Sequence, residues 1–281
     1  MKILVTGANG QLGREVVHQF NQNYEVIGYG KDELDISNLD RVSFILKKDC
    51  PDVIIHSAAY TAVDECETQG IKAIEINGLG AANVARAARK IGARMFYIST
   101  DYVFNGEKEI PYLENDKTNP LSMYGLSKLV GELMVQTILP NSTIIRTSWL
   151  YGHDGKNFVK TMIHFARENK KVRVVNDQVG SPTYTADLVE IINVLLEKPN
   201  GIYHVSNTGT CSWYQFAKRI YKEAGSDPEL VTPCTTEEYG ALAKRPKFSV
   251  MDHGGLKSKK VPLPRKWEVA LQAFMKREFF K

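Results

Sequence analysis

Residues 2–13 read KILVTGANGQLG. A short apolar run without polar alternation is the pattern of a strand covered on both faces. Gly7, Gly10 and Gly13 follow it at three-residue spacing, and a helical pattern then runs through Phe20. Glycines in this position permit a tight turn. They also let backbone N–H groups approach an anion at a helix N-terminus. The spacing departs from the G-x-G-x-x-G form, but its place, after a first strand and before a first helix, is that of a dinucleotide loop. A strand buried on both faces requires a layer of helices on each side, which restricts the chain to layered α/β folds.

The same alternation continues. Strands are expected at 24–29, 52–58 and 93–99, and a further one over 142–152. Between them fall a helix within 35–50, with Asn38 as N-cap and Val42, Ile45 and Leu46 as its apolar face, an Ala-rich helix ending at Gly92, and a helix around 121–138. Strands alternating with helices predict parallel βαβ units with right-handed crossovers. The expected architecture is a Rossmann-type doubly wound parallel sheet, mainly within residues 1–150. A smaller C-terminal α/β lobe, mainly within 151–281, should form the substrate side, with some segments of 151–235 returning to the sheet. Helices are expected at 184–197, 212–224 and 263–277, with a short strand at GIYHVS.

Composition narrows the function. The 281 residues carry a net charge of only +4, which suits an anionic small molecule and is no nucleic-acid footprint. Cys50, Cys66, Cys211 and Cys234 form no C-x-x-C pair, so reduced thiols and a cytoplasmic location are expected. The histidines show no metal-ligand spacing. No apolar run reaches membrane-spanning length, and the start runs directly into a strand, so neither a membrane span nor a signal peptide is expected.

Three positions carry chemistry. The second strand ends in GYGKDELD, where an acid usually meets the adenosine ribose; Lys31 stands there instead and suits a 2′-phosphate, favouring NADPH, with NADH possible. Asp35 and Ile36 are placed to edge the adenine, the carboxylate accepting from its amine. Tyr124 and Lys128, four apart in SMYGLSK, share one helix face. A nearby ammonium is expected to lower the phenol's pKa, so that it can exchange a proton with an alkoxide. STDYVFNG supplies a strand-end Ser99–Thr100 pair beside them.

TGANGQLG, DVIIHSAAYTAVDECE, STDYVFNG, YGLSK, RTSWLYG, DQVGSPTYTADL and RPKFSVMD occur in that order over essentially the whole chain. The sequence resembles the dTDP-4-dehydrorhamnose reductase family of the extended short-chain dehydrogenase/reductases. Phe248 departs from the asparagine more usual there. The resemblance implies reduction of a dTDP-sugar 4-ketone by NAD(P)H, the last step of dTDP-rhamnose biosynthesis for cell-wall polysaccharide. It implies Tyr124 as proton donor and Lys128 as holder of the nicotinamide ribose and tuner of Tyr124. Thr100 would bond the carbonyl or Tyr124. Cofactor contacts fall on Gly7, Asn9, Gly10, Gln11, Leu12, Gly13, Lys31, Asp35 and Ile36. They continue through Ala58, Ala59, Tyr60, Thr61, Ser99, Tyr124 and Lys128. Substrate contacts fall on Val63, Thr100, Asp101, Tyr102, Tyr124, Trp149, Asn157 and Arg245, with Asn157 and Arg245 toward the nucleotide half. Asp101 stays open between a sugar contact and an Asx-type cap, and Trp149 between a substrate wall and a core residue. Glu15 and Glu190 read as exposed helix glutamates, so no metal is assigned. A monomer or homodimer is expected. The competing readings are a nucleotide-sugar epimerase or dehydratase, and a non-catalytic subunit like the methionine adenosyltransferase β subunit. Tyr102 stands where a dehydratase has its second carboxylate.

Overall fold

The computed structural model describes residues 1–279. Strand β1 (Lys2–Thr6) leads through the glycine turn into α1 (Gln11–Phe20) and β2 (Glu25–Tyr29). Helix α2 (Leu39–Asp49) is capped by the Asn38 side chain, which accepts from the Arg41 N–H, and leads to β3 (Val53–His56). Helices α3 (Val63–Thr68) and α4 (Gly70–Ala73) precede a π-helical turn, Ile74–Gly80, which runs into α5 (Ala81–Ile91). The helical run that carries the Ala-rich segment therefore begins at Gly70, and its last part, α5, at Ala81. Gly92, left-handed at φ +74°, ends it. Strand β4 (Arg94–Thr100), helix α6 (Met123–Ile138) and β5 (Thr143–Thr147) follow.

These strands, with β10 (Gly201–His204), form one six-stranded parallel sheet in the order β10-β5-β4-β3-β1-β2. Successive side chains point to opposite faces. Ile3, Val5, Val53, Ile55, Phe96 and Ile98 thus join a core with α1 and α8 (Thr185–Leu195). Leu4, Ile54, Met95 and Tyr97 join another with α2, α5 and α6. Two covered faces explain why the strands read as continuous apolar runs.

The expected strand over 142–152 is broken. Trp149 takes a left-handed backbone, φ +47°, so β5 ends at Thr147 and the chain leaves the sheet. It then forms β6 (Leu150–Tyr151), which pairs with β9 (Thr183–Tyr184). The remaining elements are α7 (Phe158–Arg167), β7 (Val172–Val175), β8 (Val179–Gly180), β11 (Cys211–Ser212), α9 (Trp213–Glu223) and β12 (Val231–Cys234). They end with α10 (Thr236–Tyr239), α11 (Gly254–Ser258) and α12 (Trp267–Phe279). A third hydrophobic core lies among α7, α9 and α12. The last helix starts at Trp267 rather than 263, because Pro264 interrupts the backbone just before it.

Candidate active site

A cleft of about 910 Å³ lies along the carboxyl ends of the strands. The sheet order reverses at β1, flanked by β2 and β3, and such a switch point is where open α/β sheets bind ligands. The loop there requires glycine at positions 7 and 13. A Cβ on Gly7 would lie 2.7 Å from Ala58 backbone, and one on Gly13 would lie 2.2 Å from the Gly7 carbonyl oxygen. Gly10 starts α1 with no side-chain cap, so the first-turn N–H groups are left to a ligand in the cleft. Asn9, Gln11, Leu12, Lys31, Asp35, Ile36, Ala58, Ala59, Tyr60, Thr61 and Val63 line the same cleft. This bare helix end in a glycine cradle fits a dinucleotide. Ser37 donates to Asp35 Oδ1 from both its N–H, at 2.9 Å, and its hydroxyl, at 2.7 Å, and holds that carboxyl below the usual range.

The chemistry-bearing side chains converge from β4 and α6. Ser122 caps α6 by accepting from the Gly125 N–H, 3.2 Å. Gly125 lies so close to the Tyr102 carbonyl that a Cβ would approach it to 2.2 Å. That contact seats Tyr124 against the 101–103 turn. Thr100 lines the cleft with Tyr124, and its hydroxyl acts on the phenol. Lys128 is 2% exposed, and its ammonium sits 4.1 Å from the centre of the Tyr97 ring. Burial lowers Lys128 to about 7, opposed by Glu132 one turn on. Burial also pushes the Tyr124 phenol above its ordinary range, with Thr100's hydrogen bond acting the other way. This reverses the expected lowering by an ammonium. Desolvation dominates at Tyr124, and the same desolvation weakens the charge on Lys128.

Other expected contacts are already engaged. The Ser99 hydroxyl donates to Glu132, 2.5 Å, and Arg146 pairs with the same carboxylate at 2.8 Å. Thr100, not Asp101, caps the turn after β4, accepting from the Tyr102 N–H at 3.2 Å. Asp101 is therefore not the Asx-type cap. It is 1% exposed, and burial pushes its carboxyl up to about 7. Tyr102 packs edge-on to Tyr124, 5.8 Å between ring centres, and its hydroxyl bonds Arg245. Asp64 grips Arg245 through two hydrogen bonds, 2.9 and 3.2 Å, so Arg245 stands behind Tyr102 and does not line the cleft. Asn157 lines it, but caps α7 and donates to Gln11 (3.0 Å) and to the Gly152 carbonyl (2.8 Å). Trp149 stacks on Trp213 at 3.7 Å and faces the cleft. Glu15 is buried, not exposed, with partners Gln19 (2.9 Å) and Arg277 (3.2 Å), whereas Glu190 is exposed. No group of three His, Cys, Asp or Glu suited to a metal occurs among the described residues. No helix among them is long and apolar enough to cross a membrane.

Sequence reading missed three lining or supporting residues. Asn77, on the π-helical turn, accepts from the Tyr60 N–H (2.7 Å) and donates to the Tyr60 carbonyl (3.0 Å) and Ser127 (2.8 Å), fixing the cofactor-side strand end. Lys72 and Trp213 line the cleft. Trp213 had a signal: Ser212 and Gln215 form a capping box that places it at the first position of α9.

A parallel sheet with a glycine cradle at its switch point and a Thr–Tyr–Lys set beside it defines a dinucleotide-dependent short-chain reductase architecture. The chain belongs to the family described as RmlD substrate binding domain, which it matches over residues 1–279. It is 46% identical over 275 residues to the spore coat polysaccharide biosynthesis protein SpsK of Bacillus subtilis, covering 98% of this chain and 96% of that one. It is 40% identical to a dTDP-4-dehydrorhamnose reductase of Aggregatibacter actinomycetemcomitans, covering 96% and 97%. The crystal structure of the Bacillus anthracis dTDP-4-dehydrorhamnose reductase in complex with NADP is 44% identical. It superposes with a TM-score of 0.96 over 98% of this chain and 99% of that one.

Proposed function

We propose that this protein reduces the 4-keto group of dTDP-4-dehydro-β-L-rhamnose to dTDP-β-L-rhamnose, using NADPH. The observation that carries this reading is the seating of Tyr124, on the capped first turn of α6, beside Thr100 in the cleft that the glycine loop opens. The names of the full-length relatives supply the sugar and the nucleotide. NADPH, when bound, supplies the hydride. The chain's own residues do the rest. Gly7, Gly10 and Gly13 bring N–H groups to the pyrophosphate, and Lys31 meets the 2′-phosphate. A reduction consumes a proton, so its acid must stay protonated at neutral pH. Burial keeps Tyr124 a neutral phenol and meets that need. Thr100 steadies the developing charge, and Lys128 holds the nicotinamide ribose from beneath. Val63, Tyr102 and Trp149 wall the sugar, largely from the 1–150 part, and the late lobe closes over the nucleotide. Arg245 acts at one remove, orienting Tyr102. The reading is tested by NADPH and NADH consumption with the sugar ketone generated in situ. Substrate-dependent loss of absorbance, larger with NADPH, is expected; none at micromolar enzyme rejects it.

A further inference from the structure

Asp101 is a buried carboxyl for which simple hydride and proton delivery has no use. It is 1% exposed, and its Oδ1 accepts from the Thr100 hydroxyl at 3.1 Å. Its Oδ2 is buried without a hydrogen-bond partner among the described residues. Around it stand Tyr102 and Tyr124, and the Ser249 and Thr100 hydroxyls act to hold its carboxyl down against burial. The Arg245 guanidinium is taken up by Asp64 and Tyr102. A buried carboxylate without a cation is costly, so such a group holds its proton.

Thr100 has one proton and two lone pairs. One lone pair takes the Tyr102 N–H, and the proton is directed at Asp101. Tyr124 lines the cleft beside it, and the Thr100 hydroxyl acts to lower the phenol. The three side chains therefore form a chain, Tyr124–Thr100–Asp101. We propose that Asp101 is a proton-holding, positioning residue that resupplies Tyr124 through Thr100. When the Tyr124 O–H bond breaks and its proton joins the substrate oxygen, the Thr100 hydroxyl turns to the phenolate and passes its proton there. Protonated Asp101 then donates to Thr100 and is left ionised. Each oxygen keeps its electron pairs, one proton is consumed in total, and solvent entering the cleft returns it to Asp101. Direct ammonium-to-phenolate transfer is not required.

The inference rests on the reductase reading, and Asp101→Asn tests it. The amide still accepts from Thr100 but cannot deliver a proton. With NADPH prebound, single-turnover loss of absorbance at saturating sugar ketone should slow by at least about tenfold, with NADPH affinity unchanged. The wild-type rate should decline as pH rises through about 7 as Asp101 ionises. Lys128 titrates in the same range, so the comparison with Asp101→Asn makes the assignment: the variant should lose part of that decline. Thr100→Val breaks the chain, and adding Asp101→Asn to it should cost no further rate. An infrared band of a protonated carboxyl, present below about pH 7 and missing from Asp101→Asn, gives a readout apart from activity. A wild-type single-turnover rate in Asp101→Asn, with only KM raised, marks Asp101 as a sugar contact and overturns the relay alone. A wild-type enzyme that consumes no NADPH overturns the reductase reading itself.

Discussion

Tyr124 and Lys128 are one helical turn apart, yet burial moves them in opposite senses: the phenol keeps its proton more tightly and the ammonium less. In the proposed reaction this favours an acid that is fully charged with its proton at neutral pH. Tyr124→Phe removes that proton while leaving the ring, its edge contact with Tyr102 and the helix cap in place. It should lower kcat by at least about a hundredfold, the scale for losing a general acid. Fluorescence titration should find NADPH binding nearly intact. Wild-type turnover by that variant would take Tyr124 out of the reaction. At the other end of the cleft, Lys31 is exposed and lines the wall beside Asp35. Its charge has a use only if the ligand carries a 2′-phosphate. Lys31→Ala should therefore raise the KM for NADPH by severalfold more than that for NADH; equal shifts in both would reject the contact.

The break between β5 and β6 places Trp149 in the cleft wall. A left-handed backbone at a bulky residue is strained and persists only when neighbours over-determine it. For Trp149 the neighbours are Trp213, stacked at 3.7 Å on one side, and Gly180 of β8. A Cβ on Gly180 would lie 2.6 Å from the Trp149 ring. Gly180→Ala should thus tilt the indole. The expected outcome is a KM for the sugar ketone raised by about fivefold or more, with a weakened far-ultraviolet coupling signal from the stacked indoles. An unchanged KM with an altered indole signal would make Trp149 a core residue. None of this was readable from RTSWLYG, whose apolar run looks like one strand, because the stack is made with a residue more than sixty positions away. The π-helical turn was hidden for a similar reason. Gly78 and Gly80 sit against Val130 and Ile36 side chains, contacts that only the tertiary packing supplies, and the turn they allow aims Asn77 at Tyr60. By contrast, the signals for α1, the Asn38 cap and the Tyr124–Lys128 face are local, and local pattern sufficed to place them. The burial of Glu15 and the Arg245–Asp64 pair were not legible because an ion pair made across the molecule leaves no trace in spacing.

Packing a sheet between two helical layers buries histidines at both halves of it. His56 in β3 is 1% exposed and His204 in β10 is fully buried, and burial lowers both to about 3. Between about pH 6 and pH 4 the unfolded chain protonates both, while the native protein protonates neither. Asp101 has the opposite sign. Its native carboxyl titrates at about 7 and the unfolded one near the ordinary aspartate value, so in this window the native state holds a proton that the unfolded state lacks. The unfolded state therefore binds a net one proton more across these three groups. Stability then rises with pH by about 1.4 kcal/mol per unit and is lost on acidification. His153 and His253, also held low by burial, act in the same direction as the other two. Urea unfolding from about pH 6 down to pH 5 should show at least that slope. Asp101→Asn removes the opposing proton and should steepen it by about 1.4 kcal/mol per unit, whereas His204→Gln should flatten it even while lowering stability outright. A stability that holds level or rises on acidification in this range would mean that the buried histidines are solvated or charged in the native protein, and that the sheet is less tightly covered than its packing implies.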